Sequence, residues 1–309
     1  MSGPVAVIDV GSNSIKLLVA KSEKAHGIDP LFTETIETRI SEGISKDLPQ
    51  LAEDAIRKGC RTITELVRIA REYEPVRLTI VATSAVRDAL NGQDFIDQVY
   101  EATGIKTRVL SGHEEANYIG NGLRCDPQLA GTEDFIQMDI GGGSLELISF
   151  KQAQIKQAIS LRLGAVRLSE RFVTDRDAAV SRNVETAIHA FVTAELAQSD
   201  FNFSPAKNLL VATGGAIVVS RAIIAAQAGQ EIEEQYPVIK KTQLETLKEQ
   251  VCALPLHERM SIPHLPASRA DIIPTALITI LAVLKHAQRT SLTHSFYNLR
   301  YGMAAELLR

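Results

Sequence analysis

Two aspartates each open a glycine-rich turn between apolar segments: Asp9 in DVGSNSIKLLVA (residues 9–20) and Asp139 in MDIGGGSLELISF (residues 138–150). A carboxylate beside a tight turn whose N–H groups face one point suits a divalent cation and phosphate oxygens. Gly11, Ser12 and Asn13 in the first turn, and Gly141, Gly142, Gly143 and Ser144 in the second, are the expected phosphate donors. Asp9 and Asp139 are the expected metal ligands, and the pair predicts two hairpins facing one another across a cleft. Lys16 follows the first turn, where it either reaches phosphate or points to solvent. Glu146 shares strand-face parity with Ser144 while Leu145 and Leu147 take the core face, so Glu146 is a further candidate for metal or water.

Removing a terminal phosphoryl group from a polyanion needs charge neutralisation, an oriented nucleophile and a proton acceptor. Arg87 follows the strand-to-helix switch in VRLTIVATSAVRDALNG and can bind phosphate as a rigid fork of donors, the alternative being an ion pair with Asp88. Glu114 and Glu115 fall in the first turn of a helix opening near Ser111 or His113. Either one could hold a water and take its proton, and either could serve only to complement the helix N-terminus. Local pattern does not separate these adjacent acids. Arg162 and Arg167 flank a later glycine turn and could extend a positive track.

The elements that must position these groups read as repeated α/β building with a hairpin at the start of each half. Residues 31–40 predict a strand, and residues 49–73 carry apolar groups at helical spacing. IKTRVLSG returns to strand before the acidic helix. In the second half, IKQAISLRLGAVRLSERFV predicts strand, Gly164 and helix; a long helix follows within 174–199, and residues 208–225 predict strand, glycine turn and helix. Residues 240–252 and RADIIPTALITILAVLKHAQ read as helices, with Pro274 in a first turn or at a kink. The segment 125–133 is the expected crossing between domains.

The 33 Lys and Arg residues nearly offset the 37 Asp and Glu residues, which argues against a general nucleic-acid coat and leaves room for a local basic pocket. Three widely spaced cysteines favour neither a disulfide framework nor a thiolate cluster. The longest apolar run contains Pro274 and is short for a membrane span, and no leader pattern opens the chain, so a cytoplasmic protein without membrane partners is expected.

The ordered set of motifs resembles the exopolyphosphatase and guanosine pentaphosphate phosphatase family, within the wider actin, heat-shock ATPase and sugar-kinase superfamily. The resemblance is carried by DVGSNSIKLLVA, ATSAVRDALNG (82–92), SGHEEANYIGNG (111–122), DIGGGSLELI (139–148), LGAVRLSERF (163–172), ATGGAI (212–217) and RADIIP (269–274). It implies an α/β fold of two actin-like, ribonuclease H-like domains with mixed sheets flanked by helices and a cleft between them. The domains would span 1–128 and 129–297, with the last helix, about 298–309, packing back on the first. It also implies Glu115 as catalytic base, Arg87 on phosphate, Asp139 and Glu146 organising Mg2+ (or Mn2+) and water, and Asp9 on the opposite hairpin. The expected substrate is inorganic polyphosphate or guanosine pentaphosphate, with a homodimer able to rebuild a longer groove. A kinase-like ATPase or a non-catalytic phosphate or alarmone sensor is the competing class. Leu145 stands where the family often has threonine, and Ala216 likewise, which leaves phosphate contact by the 212–217 turn open, with Gly214 and Gly215 alternatively closing the second domain. Longer members carry a further helical region with a His/Asp motif, so the chain reads as the short form.

Overall fold

The computed structural model describes residues 3–23, 27–45, 48–203 and 209–309, so residue 208, expected to begin a strand, lies outside the described residues. The chain divides into two compact units, one formed by 1–131 with 297–309 and the other by 132–296.

The first unit is built on strands β1 (Val5–Val10), β2 (Ser14–Ser22), β3 (Ile28–Glu37), β4 (Arg77–Ala82) and β5 (Thr107–Val109), in sheet order β3-β2-β1-β4-β5. The first three strands form an antiparallel meander, and β4 and β5 add in parallel to β1. Strand β1 reads VAVIDV and is buried along its whole length, as a central strand covered on both faces must be. The covering helices are α1 (Glu53–Arg71), the short α2 (Ser84–Asp88), α3 (Gly92–Thr103) and α4 (Gly112–Leu123). Helix α1 buries Ile56, Ile63, Leu66, Val67 and Ala70, spaced to fall on one face. Helix α3 stops at Gly104, whose φ of 72° a residue without Cβ adopts readily.

The second unit repeats the plan. Strands β6 (Phe135–Ile140), β7 (Leu145–Lys151) and β8 (Gln154–Leu161) form the meander, while β9 (Leu210–Thr213), β10 (Val238–Lys240) and β11 (Ser291–His294) complete the order β10-β11-β9-β6-β7-β8. Helices α5 (Ala165–Phe172), α6 (Arg182–Gln198), α7 (Gly215–Gln227), α8 (Lys241–Ala253), the short α9 (Leu256–Arg259) and α10 (Ile273–His286) surround it. Helix α10 is buried from Ile273 to Leu284, and Pro274 lies in its first turn, where the missing N–H has no helical acceptor to lose. Among the described residues no helix is long and apolar enough to cross a membrane.

The last helix, α11 (Leu299–Leu307), belongs to the first unit and crosses α4 with the two backbones in contact. A Cβ on Gly122 would overlap the carbonyl oxygen of Asn298, and one on Gly302 would overlap that of Tyr118. Because the obstacle on each side is backbone, no side-chain rotation relieves it. Gly122→Ala is therefore expected to destabilise the protein by about 3 kcal/mol, at the upper end of overpacking effects. A urea unfolding midpoint unchanged from that of the parent would contradict this crossing.

Burial in the second unit predicts a pH response. His294, 2% exposed at the end of β11, is pushed down to about 3 by burial and then by the charge of Arg221, whose Nη1 lies 3.0 Å from its Nδ1. The folded state thus holds this imidazole neutral while the unfolded chain protonates near 6.5. The stabilisation is fully present above that value and is lost as pH falls from about 6.5 toward about 3, up to roughly 5 kcal/mol across the window. His294→Gln, which keeps an acceptor for Arg221, is expected to flatten the fall in stability between pH 6.5 and 4.5, measured by urea unfolding at each pH. An identical slope in parent and variant would place the proton uptake elsewhere.

Candidate active site

In both units the chemistry-bearing residues gather at the carboxyl ends of the parallel strands, the edge where open α/β sheets bind ligands. In the first unit these are Asp9 near the end of β1, Ser84 and Arg87 after β4, and Ser111 to Glu115 after β5. In the second they are Asp139 near the end of β6 and Thr213 to Gly215 at the end of β9.

The two hairpins are closed in the same way. Gly11 N–H donates to Ser14 O at 3.1 Å, and Gly141 N–H donates to Ser144 O at 3.0 Å. In each turn the carbonyls are then taken by a later segment of the same unit. Ser12 O accepts from Ser41 N–H, and Asn13 O accepts from Thr38 and Arg39 N–H. Gly141 O accepts from Ala165 N–H, and Gly142 O accepts from Val166 and Arg167 N–H, so the hairpin itself caps α5. With its acceptors tied behind it, each turn can direct N–H groups toward an anion. Arg167 braces the second hairpin, its Nε donating to Gly143 O at 2.9 Å, which differs from the expected positive track; Arg162 is exposed. Gly164 has no room for a Cβ against Gly142.

Among the predicted phosphate donors, Ser12 and Asn13 have other side-chain partners. Ser12 Oγ lies 2.9 Å from Ser84 Oγ, joining the first hairpin to the start of α2. The Asn13 amide donates to Glu37, and its Oδ1 accepts from Arg39 Nε at 3.4 Å. The side chain of Asn13 thus organises the turn, leaving its backbone as the group suited to an anion. Lys16 is the register partner of Asp9 across β1 and β2, so these opposite charges sit on neighbouring strands on the same face.

Asp9 is 9% exposed, and burial pushes its carboxyl above the usual range, partly offset by the charges of Lys16 and then Arg300. Arg300, on α11, is 8% exposed and donates from Nη1 to Leu17 O at 2.9 Å. Sequence reading did not single it out, although a lone arginine among the apolar residues of a final helix is a hint.

The adjacent acids of α4 take different surroundings. Glu114 completes a capping box: Ser111 Oγ accepts from Glu114 N–H at 3.2 Å, and Glu114 Oε2 accepts from Ser111 N–H at 2.9 Å. Arg108 also donates to it at 2.6 Å. The Ser111 N–H, then Arg108, then the Ser111 hydroxyl pull the Glu114 carboxyl down to about 2. Glu115 is 6% exposed, and its Oε2 accepts from Arg87 Nη1 at 2.7 Å. The same Arg87 nitrogen donates to Leu110 O at 2.9 Å, whereas Asp88 stands 3.6 Å from Arg87 Nε. Arg87 and Glu115 are therefore brought together by the packing of α2 against the end of β5.

In the second unit, Asp139 and Glu146 are register partners on β6 and β7 and share a face. Glu146 is 1% exposed, its Oε1 accepting from Ser160 Oγ at 2.7 Å, and Asp139 Oδ2 accepts from Thr213 Oγ1 at 2.5 Å. Two carboxylates oriented by hydroxyl donors fit a magnesium ion that completes its shell with water and phosphate oxygens. Among the described residues no three acidic, His or Cys side chains form a metal cluster. Gly214 closes over this pair with φ of 104°; a Cβ there would lie 2.5 Å from Ile140 O and 3.2 Å from Asp139 Oδ1. Arg269 lies over Gly215, with its Cζ 2.6 Å from where a Cβ would be, at the N-terminus of α7. This second cation was legible only as part of the RADIIP motif.

Two mixed sheets, each begun by an acidic glycine-turn hairpin, have the plan of the actin-like α/β class of phosphoryl-handling proteins. Residues 18–309 match the Ppx/GppA phosphatase family, and the chain belongs to it. An exopolyphosphatase from Cytophaga hutchinsonii is 25% identical, with a TM-score of 0.89 over 99% of this chain and 97% of that one. A Ppx/GppA family member from Aquifex aeolicus is 23% identical, with a TM-score of 0.80 over 100% and 98%. An exopolyphosphatase-like protein is 22% identical, with a TM-score of 0.90 over 99% and 98%; these last two likenesses concern the fold.

Proposed function

We propose that the protein is an exopolyphosphatase that transfers the terminal phosphoryl group of inorganic polyphosphate to water. The reading rests on family membership and on one observation above the rest: a buried carboxylate, Glu115, held at 2.7 Å by Arg87 at the carboxyl edge of the first sheet. Glu115 takes the proton of the attacking water as its oxygen bonds to phosphorus, and the bridging P–O bond breaks to leave a chain one unit shorter. Arg87 binds the phosphoryl oxygens and orients Glu115 through the same guanidinium. The turn N–H groups of Gly11 to Asn13, with Lys16, bind further oxygens of the chain end in the first unit, and those of Gly141 to Ser144 give the second unit a phosphate-binding turn of its own. In the second unit, Asp139 and Glu146 would hold magnesium or manganese, which when bound would supply charge neutralisation for phosphate oxygens. Asp9, flanked by Lys16 and Arg300, is better suited to arranging those cations than to binding another.

The test is phosphate release measured side by side from short polyphosphate, long polyphosphate, guanosine pentaphosphate and ATP, with magnesium. Release from long polyphosphate is expected to exceed release from ATP by at least about tenfold in kcat/KM, because only the longer polyanion can make contacts along further phosphate units. Preference for guanosine pentaphosphate would move the substrate assignment to the alarmone, and binding without release from any of them would make the protein a sensor.

A further inference from the structure

Polar side chains form a row across the second sheet beside its acidic hairpin. The register puts Glu146 on β7, Asp139 on β6 and Thr213 on β9 side by side on one face. Two residues back along β6, and on that same face, stands Gln137, whose neighbours in its own row are Ile148 and Val211. All three are 0% exposed, so the amide has apolar groups on either side and no contact with solvent. It is turned toward the polar row: Gln137 Nε2 donates to Thr213 Oγ1 at 3.5 Å, while Gln137 Oε1 has no hydrogen-bond partner among the described residues.

A buried amide with one long donor bond and an unsatisfied acceptor opposes folding, and an apolar side chain of the same length would be tolerated at least as well in that place. What the amide acts on is the Thr213 hydroxyl. A hydroxyl carries one proton and accepts at its lone pairs. With an amide N–H directed at Oγ1, the Thr213 proton is committed to Asp139 Oδ2, 2.5 Å away. Amide, hydroxyl and carboxylate then form a donor chain that runs one way, and each bond in such a chain polarises the next. We propose that Gln137 is a positioning residue for divalent-metal binding, acting through the Thr213 hydroxyl to orient the Asp139 carboxylate beside Glu146. This rests on the reading that Asp139 and Glu146 hold the cation, and it extends that site to a residue one hydroxyl removed from the carboxylates.

The experiment measures manganese binding without substrate, from the paramagnetic resonance signal of the free ion, together with urea unfolding, for the parent, Gln137→Met, Thr213→Val, the double variant Gln137→Met/Thr213→Val and Asp139→Asn. Gln137→Met is expected to weaken manganese binding by about fivefold, less than Thr213→Val because it acts one bond further from the carboxylate, with an unfolding midpoint equal to or above that of the parent. The double variant is expected to bind within about twofold of Thr213→Val alone, since the amide has no hydroxyl left to act through. A residue that only fills the core would shift the unfolding midpoint and leave metal affinity alone. Parental affinity in Gln137→Met overturns the proposal, as does a further fivefold loss when Gln137→Met is added to Thr213→Val. Should Gln137→Met not fold, the side-chain amide resonance of Gln137 decides: a shift on saturating the parent with magnesium that is absent in Thr213→Val supports the relay, and an unmoved resonance overturns it. If Asp139→Asn binds manganese as the parent does, the metal reading of Asp139 fails and the proposal falls with it; a weakened Asp139→Asn beside a parental Gln137→Met overturns the proposal alone.

Discussion

Glu115→Gln is expected to lower polyphosphate turnover by about 10²- to 10⁴-fold while substrate affinity stays within a few-fold of the parent, the range general-base removal usually spans. Glutamine keeps the shape of the side chain and an oxygen that accepts from Arg87, which in the parent lies 2.7 Å away, so the geometry of α2 and α4 survives. It cannot take a proton. The comparison that isolates the effect is Glu114→Gln in the next position, whose parent carboxylate is engaged with Ser111 and Arg108. That variant keeps the capping box, which glutamine also completes, and loses the charge that faces Arg108, so its effect should be a small loss of stability with turnover little changed. Single-turnover phosphate release with calorimetric binding for both variants decides the matter. A larger kinetic loss for Glu114→Gln than for Glu115→Gln would exchange their roles.

Asp139→Asn is expected to be nearly as severe, through the cation. Replacing one of two register-paired carboxylates should raise the magnesium concentration for half-maximal turnover by at least about tenfold and reduce the maximum by about 100-fold. Thr213→Val gives the graded counterpart. It removes the hydroxyl that donates to Asp139 at 2.5 Å and should shift the magnesium response by roughly tenfold, with a smaller effect on the maximum. Magnesium titrations of turnover, with manganese as a second metal, read both effects. An Asp139→Asn enzyme with the parental magnesium response would remove Asp139 and its strand partner Glu146 from the metal assignment.

Much of this architecture was legible in the chain itself, because its signals are local. A buried strand, an acid, a glycine turn and a second apolar strand occupy a dozen residues, and the duplication of that pattern at Asp9 and Asp139 announces two sheets begun in the same way. Ser111 with Glu114 marks the start of α4, Gly104 the end of α3 and Pro274 the first turn of α10, each through backbone chemistry spanning only a few residues.

Tertiary structure alone decided what each polar side chain is used for. The local capping pattern gives Glu114 a place three residues after Ser111 but assigns no chemistry to Glu115; the two differ in partner because successive residues of a helix point about 100° apart, one toward Arg108 and the other toward Arg87. Asn13 has the composition of a phosphate donor, yet its amide meets Glu37, a residue delivered by the far end of β3. Arg300 reaches Leu17 across nearly the whole chain, and the Gly122–Gly302 crossing that brings its helix there joins segments separated by the entire second unit. Turns and caps are set by bonds between near neighbours. Partnership between distant side chains depends on how sheets and helices pack, and no spacing along the sequence records it.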